Sequence, residues 1–180
     1  MIRIRVDEEL ELRTVTPSAA QTIFHSIKRS KDHLGRWLPF VDLTKSVADT
    51  RRFIKKTAKS NCHKKDLLFQ ITVHNDFAGL ISLKEIDTYN RKAEIGYWLD
   101  ATMVGKGLMI RSCKALVDYA FEELALNRIF IKTAVKNKKS AAIPINLGFS
   151  KEGIERDGEL LNGKFQDLIV FSILKDEWKS

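Results

Sequence analysis

Apolar and polar positions alternate along several short stretches of this chain. Residues 10–15, LELRTV, give one clear case, and that period belongs to a half-buried strand. Residues 67–73, 77–86, 92–99, 128–135, 149–159 and 165–174 are rich in branched and aromatic side chains and read as strands too. His74-Asn75-Asp76 and Asn162-Gly163 supply tight hairpin turns between them. Helical spacing takes over elsewhere. Thr16-Pro17 opens a helix that runs to about Lys31, with Ala20, Ile23, Phe24 and Ile27 on one face. Ser46 caps a second helix over residues 47–60, whose partial apolar face is Val47, Phe53, Ile54 and Ala58. The longest pattern is Cys113, Leu116, Val117, Ala120, Phe121 and Leu124, one stripe of a helix. Residues 140–147 make a short helix. Proline cannot lie deep inside it, so Pro144 sets its start near Ser140. The sum is an α/β (α+β) chain: one domain over residues 1–180, a mixed sheet of about seven strands with helices on both faces.

The middle of the chain draws the rest together. Residues 94–99 read as a buried strand, residues 100–104 turn, and Gly105-Lys106-Gly107 leads at once into the long helix. The first amides of a helix have no helical acceptor, and the dipole there is positive. Glycine lets the backbone approach a ligand closely. Such a corner suits an anion, most simply a phosphate. The dinucleotide fingerprint fails because position 110 is Ile110, and no Walker loop is present. On glycine spacing alone, a helix opened by two glycines with no ligand is the favoured reading.

Composition narrows the picture. The chain has 180 residues, 44% of them hydrophobic and 30% charged, which is ordinary for a globular domain. No run approaches a membrane span, and MIRIRVDEEL has no apolar core or cleavage site, so no export signal is expected. Cys62 and Cys113 are far apart and read as reduced thiols of a cytoplasmic protein. His25, His33, His63 and His74 are dispersed, and no metal site is expected. The net charge of +8 favours anionic partners. Nucleic acid, a polyphosphate ligand and an acidic protein all qualify, and charge does not choose. The second helix carries much of it, at Arg51, Arg52, Lys55, Lys56 and Lys59, followed by Lys64 and Lys65. That face reads as solvated or as a guide for an acidic partner.

AEIGYWLD, VGKGLM, LVDYAFEELALNRI and KNKKSAAIPINLGFSKEG occur in that order. Together they resemble the GNAT superfamily of acetyl-CoA-dependent N-acetyltransferases, and within it the RimJ/RimL group, which acetylates N-terminal amines of ribosomal proteins. The likeness runs from about Leu10 to Trp178 and is strongest over residues 92–153. It implies the GNAT fold, with a mostly antiparallel sheet. In that fold the strand at residues 94–99 and the one at residues 128–135 splay apart. The pantetheine arm of acetyl-CoA enters between them, along the backbone edge of Tyr97, Trp98 and Leu99. The family's pyrophosphate loop, Q/R-x-x-G-x-G/A, falls on Val104, Gly105, Lys106, Gly107, Leu108 and Met109. Val104 and Met109 depart from it, which affects side-chain contacts and leaves the backbone donors intact.

The same resemblance implies the remaining roles. Asn137 bonds the pantetheine. Ser140 is an N-cap, a proton donor to the leaving thiolate, or both. Glu94 and Glu159 are candidate bases acting through water, each with a plain surface ion pair or surface charge as the other reading. Trp37 and Phe40, in Arg36-Trp37-Leu38-Pro39-Phe40, form a wall of the acceptor slot. The implied acceptor is a protein N-terminus, possibly that of an acidic ribosomal protein. A small amine such as a polyamine, or a non-catalytic RNA-binding role, are the alternatives. The family leaves room for a homodimer, on which the residues themselves are silent.

Overall fold

The structure is a computed structural model that describes residues 1–62 and 65–179. Ala58, Lys59, Cys62, His63 and Lys64, all invoked by the sequence, lie outside the described side chains. Eight strands form one sheet: β1 (Arg3–Arg5), β2 (Leu10–Thr14), β3 (Leu67–Val73), β4 (Asp76–Asp87), β5 (Lys92–Leu99), β6 (Arg128–Ala134), β7 (Ser150–Leu161) and β8 (Lys164–Leu174). Their order is β1-β2-β3-β4-β5-β6-β8-β7. The extra strand relative to the expected seven is β1, a three-residue edge piece too short to carry an alternation signal. His74 and Asn75 both take positive φ (48° and 73°), as do Asn162 and Gly163 (50° and 74°), so both hairpins turn as their residues dictate.

All neighbouring strands are antiparallel except β5 and β6. Those two are parallel and pair only from Lys92–Arg128 to Glu94–Phe130. Beyond that point they part. One face of the sheet carries α5 (Leu108–Glu122) and α6 (Lys138–Asn146). Its core includes Phe69, Ile81, Leu83, Ile95, Cys113, Leu116, Val117, Ala120, Ile129 and Ile131. The stripe read from the sequence is therefore the buried face of α5. The other face carries α1 (Ala20–Arg29), α2 (Lys31–Leu34), α3 (Phe40–Leu43) and α4 (Val47–Cys62). There Ile23, Ile27, Val41, Ile54, Leu68, Leu80 and Trp98 form a second core. The expected first helix is broken at Ser30, and the apolar 34–41 stretch becomes α2, a turn and α3. Ser46 does open α4, with Asp49 accepting from its amide at 2.9 Å in a reciprocal cap. No helix among the described residues is long and apolar enough to cross a membrane.

Strand alternation decides where charge can sit. Ile81, Leu83, Ile95, Ile129 and Ile131 all enter the α5 core. Their neighbours Lys84, Glu94, Gly96 and Lys132 must therefore face the opposite side. The helices α1 and α4 cover the Leu80–Trp98 part of that face. The charged part borders an open cleft.

The end of β5 is anchored by Asp100, whose side chain is fully buried. It accepts from Ser26 Oγ at 2.6 Å and Arg29 Nη2 at 2.5 Å, both on α1. It also accepts from the amide and hydroxyl of Thr102 at 3.0 and 2.8 Å. Burial alone would raise its pKa, but the Arg29, Ser26 and Thr102 hydrogen bonds outweigh that and hold it well below the usual carboxylate range. Ser30 adds a bond from the Ala101 amide at 2.9 Å. So α1 fixes the loop that leads to α5.

Asp100→Ala should cost on the order of 3 kcal/mol at neutral pH, because buried donors lose a charged acceptor. A group with a depressed folded value stabilises fully above its unfolded value of about 3.9 and loses that as pH falls. Urea denaturation at pH 7 and pH 3 should therefore show a large gap between wild type and variant that shrinks in acid. A constant gap would assign the loss to packing instead.

Candidate active site

Where β5 and β6 part, a cleft of about 720 Å³ opens through the sheet. Tyr97, Trp98, Leu99, Val104, Gly105, Gly107, Leu108, Met109 and Asn137 line it, together with Glu94, Ser140, Glu159 and Trp37. Thirteen of the fifteen expected site residues thus border one space. Two do not. Phe40 packs on Trp98, ring centroids 6.4 Å apart, within the second core, because α3 turns it inward. Lys106 is exposed, with Nζ 3.6 Å from Met103 Sδ.

The corner at the end of β5 has the properties of an anion site. Gly105 and Gly107 have φ of +85° and +70°, values that L side chains rarely adopt. A Cβ on either would meet nothing within 4 Å, so both backbones face open space. Gly107 caps α5 with no side-chain bond. The amides of Gly105, Lys106 and Gly107 have no protein acceptor among the described residues. They gather beside the positive end of α5. Such a corner suits an anion, a phosphate group above all.

The strand edge beside it is also free. The Asp100 amide donates to the Ala78 carbonyl at 2.9 Å, which marks that pair as hydrogen-bonded to β4. Alternation along an antiparallel ladder then turns Trp98 toward β4, and Tyr97 and Leu99 toward the gap. Trp98 therefore turns its main chain away from the gap, and the backbone edge expected of residues 97–99 reduces to Tyr97 and Leu99. Thr133 on β6, buried and bordering the cleft, has a hydroxyl with no partner among the described residues. An extended amide-bearing ligand would find donors and acceptors on both walls.

Asn137 and Ser140 come together at the start of α6. The cap is Asn137, whose Oδ1 accepts from the Ser140 amide at 3.2 Å. The expectation of Ser140 as cap and first helical residue is thereby corrected. Pro144 lies inside the helix. It lacks the N–H that would bond the Ser140 carbonyl four residues back. The Tyr97 hydroxyl takes that vacant acceptor at 3.0 Å. In turn Ser140 Oγ donates to Tyr97 Oη at a long 3.3 Å. Burial, then the nearby Cys113, raise the Tyr97 pKa, with the Ser140 hydrogen bond opposing, so the phenol stays protonated. The hydroxyl of Tyr97 was not foreseen, although a proline four residues after a site serine is a readable signal.

The two carboxylates differ. Glu94 is bound to Lys84 Nζ at 2.6 Å and its side chain is only 13% exposed. Glu159, on β7, has no ion pair or hydrogen bond among the described residues. Burial, partly offset by Lys84 and reinforced by Glu94, raises its pKa. A half-buried, unpaired carboxylate of this kind can accept a proton near neutral pH more readily than an exposed one. His33 and Lys84 also border the cleft and were not foreseen, since nothing local in sequence links them to it.

A family model described as an acetyltransferase (GNAT) domain matches residues 9–150. The putative ribosomal N-acetyltransferase YdaF of Bacillus subtilis (strain 168) is 40% identical over 185 residues, covering 99% of this chain and 98% of that protein. Among solved structures, RimL, a ribosomal-protein alpha-N acetyltransferase in complex with coenzyme A, aligns with a TM-score of 0.94 at 28% identity, covering 98% of this chain and 99% of that one. The microcin self-immunity acetyltransferase MccE, in complex with acetyl-CoA and AMP, aligns with a TM-score of 0.91 at 29% identity over 94% of each chain. With its parted strands, glycine corner and full-length relatives, this chain belongs to the GNAT family of acetyltransferases.

Proposed function

We propose that this chain moves the acetyl group of acetyl-CoA directly to the N-terminal α-amine of a ribosomal protein. Residues 1–180 would act as one cytoplasmic acetyltransferase domain. The observation that carries this reading is the course of the cleft. At one end of β5 lie unpaired backbone donors. At the other lies a half-buried carboxylate with no side-chain partner among the described residues, with Trp37 on the cleft wall. The full-length similarity to YdaF and RimL supports the choice of acceptor.

The roles follow from position. The backbone amides of residues 105–107 hold the diphosphate, and the free edges of Tyr97 and Leu99, with Asn137, hold the pantetheine arm. The thioester supplies an activated acetyl group. The amine nitrogen attacks its carbonyl carbon, a C–N bond forms, and the C–S bond breaks. An α-amine has a pKa of about 7.7–8.0 against about 10.4 for lysine, so roughly 10% is neutral at pH 7. A modest base is enough. Glu159, acting through a water, takes the proton released from nitrogen. Glu94 stays occupied by Lys84. The Ser140 hydroxyl, loosely held by Tyr97, hydrogen-bonds the departing sulfur and delivers its proton, which solvent replaces.

The decisive experiment is mass spectrometry of ribosomal-protein N-termini incubated with enzyme and acetyl-CoA. One acetyl group at one or a few N-termini is expected. No modified N-terminus, with rapid turnover of a small amine, would transfer the reading to a small-molecule acetyltransferase. Steeply salt-dependent RNA affinity without CoA binding would replace it altogether.

Two variants test the chemistry. Wild-type kcat/KM should fall as pH drops through the raised Glu159 value, because the base must be ionised. Glu159→Gln should remove the Glu159 part of that acid limb, leaving only the amine's own titration near about 7.7–8.0, and lower the plateau roughly 100-fold; a limb of unchanged steepness would assign the base elsewhere. Ser140→Ala keeps the α6 cap, which uses the backbone amide. It should cut kcat roughly tenfold with little change in KM, and an unchanged kcat would leave the hydroxyl a local structural role.

A further inference from the structure

Lys84 has no place in the mechanism above, yet its environment is built around it. It sits on β4 directly opposite Glu94 on β5. Its Nζ lies 2.6 Å from Glu94 Oε1. Its aliphatic stem crosses Gly96. A Cβ added at Gly96 would lie 2.8 Å from Lys84 Cε and 3.2 Å from Nζ. Any larger residue at 96 would push the lysine aside. The glycine in EIGYW therefore makes room for a cation as well as for the cleft.

The other charges on this floor are already matched or further removed. Lys132 of β6 is bound to Glu155 of β7 at 2.6 Å. Glu85 neighbours Lys84 on β4 and is felt by Lys132. His33 of α2, Tyr97 of β5 and Lys139 of α6 line the same cleft. Opposite Glu159 on β8 stands Gln166, which is neutral. Lys84, Glu94 and Glu159 border the same cleft, where the ammonium lowers the Glu159 pKa and the Glu94 carboxylate raises it.

We propose that Lys84 is a positioning residue for the reaction, held by Glu94 in the slot that Gly96 leaves so that its ammonium serves the base Glu159. This rests on the reading of Glu159 as the base. The physical need is plain. Two carboxylates bordering one cleft repel, and the Glu94 charge adds to burial in raising the Glu159 pKa. Lys84 neutralises Glu94 and still leaves net attraction for Glu159. Burial of Glu159 keeps it basic, and Lys84 limits how far that goes. The pair therefore sets the lower edge of the working pH range. The two partners must act with opposite sign: loss of the cation favours protonated Glu159, and loss of the Glu94 charge favours the ionised form.

The test uses the full chain, with glutamate labelled at the side-chain carboxyl carbon and followed by NMR across pH. The Glu159 signal is assigned by its absence in Glu159→Gln. Lys84→Met should move the Glu159 titration to higher pH, and Glu94→Gln should move it to lower pH. With acetyl-CoA and a ribosomal-protein N-terminal peptide as acceptor, the part of the acid limb of kcat/KM that Glu159→Gln removes should move in parallel. At a pH on that limb Lys84→Met should lose roughly threefold or more, and on the alkaline plateau nothing. Lys84→Arg should restore the limb. If Glu159→Gln removes the Glu159 part of the limb, leaving the amine's own titration, while Lys84→Met moves neither titration nor limb, the role of Lys84 is overturned and the base assignment stands. If the limb is unchanged in Glu159→Gln, the base assignment fails and this inference fails with it.

Discussion

Everything in this molecule follows from two neighbouring strands that stop pairing. β5 and β6 hold together for three residue pairs and then diverge. A parted pair leaves main-chain donors and acceptors without partners, which is costly unless water or a ligand takes them. The fold sustains the gap because each strand is secured on its other edge. β5 is tied to β4 along most of its length, and β6 to β8 over seven consecutive pairs. The helices α5 and α6 then pack over one face of the parted strands without closing them. The cleft is thus a product of sheet registry rather than of loop placement.

Around that gap, local backbone chemistry divides the labour. The buried Asp100 fastens the end of β5 to α1, so the glycine corner is presented in a fixed place. Gly105 and Gly107 hold left-handed conformations with open space where side chains would be. At α6, the missing amide of Pro144 frees a carbonyl for Tyr97 and brings Tyr97 and Ser140 hydroxyls together. On the opposite face, strand alternation gathers Lys84, Glu94 and Lys132 where the helices leave the sheet uncovered. Each device costs a local irregularity, and the irregularities cluster at the cleft.

Much of this was legible in the residues. The α5 stripe, the strand patterns and both positive-φ hairpins depend on nearest neighbours and regular spacing, which a sequence displays directly. The glycine corner was legible as an anion site, though not as one for a particular ligand. The splay was not, because it depends on how two strands distant in sequence are held by others; it came only with the family resemblance. Phe40 falls outside the cleft lining and packs on Trp98, since an apolar aromatic beside a cleft and one beneath it look alike in sequence. Ser140 was misassigned as a cap because Asn137, three residues earlier, opens the helix first and takes the Ser140 amide. Lys84 and Glu94 lie ten residues apart, and only the β4–β5 register makes them partners.

The central claim is that unpaired amides at the glycine corner bind the diphosphate of CoA. Calorimetric titration of the full chain with CoA, in wild type and in Gly107→Ala, tests it most directly. Wild type should give a saturable heat with one site per chain. The alanine variant, strained at a left-handed position and carrying a methyl group into the cradle, should bind roughly tenfold more weakly or worse. No heat from the wild type, or equal affinity in both proteins, would contradict the account.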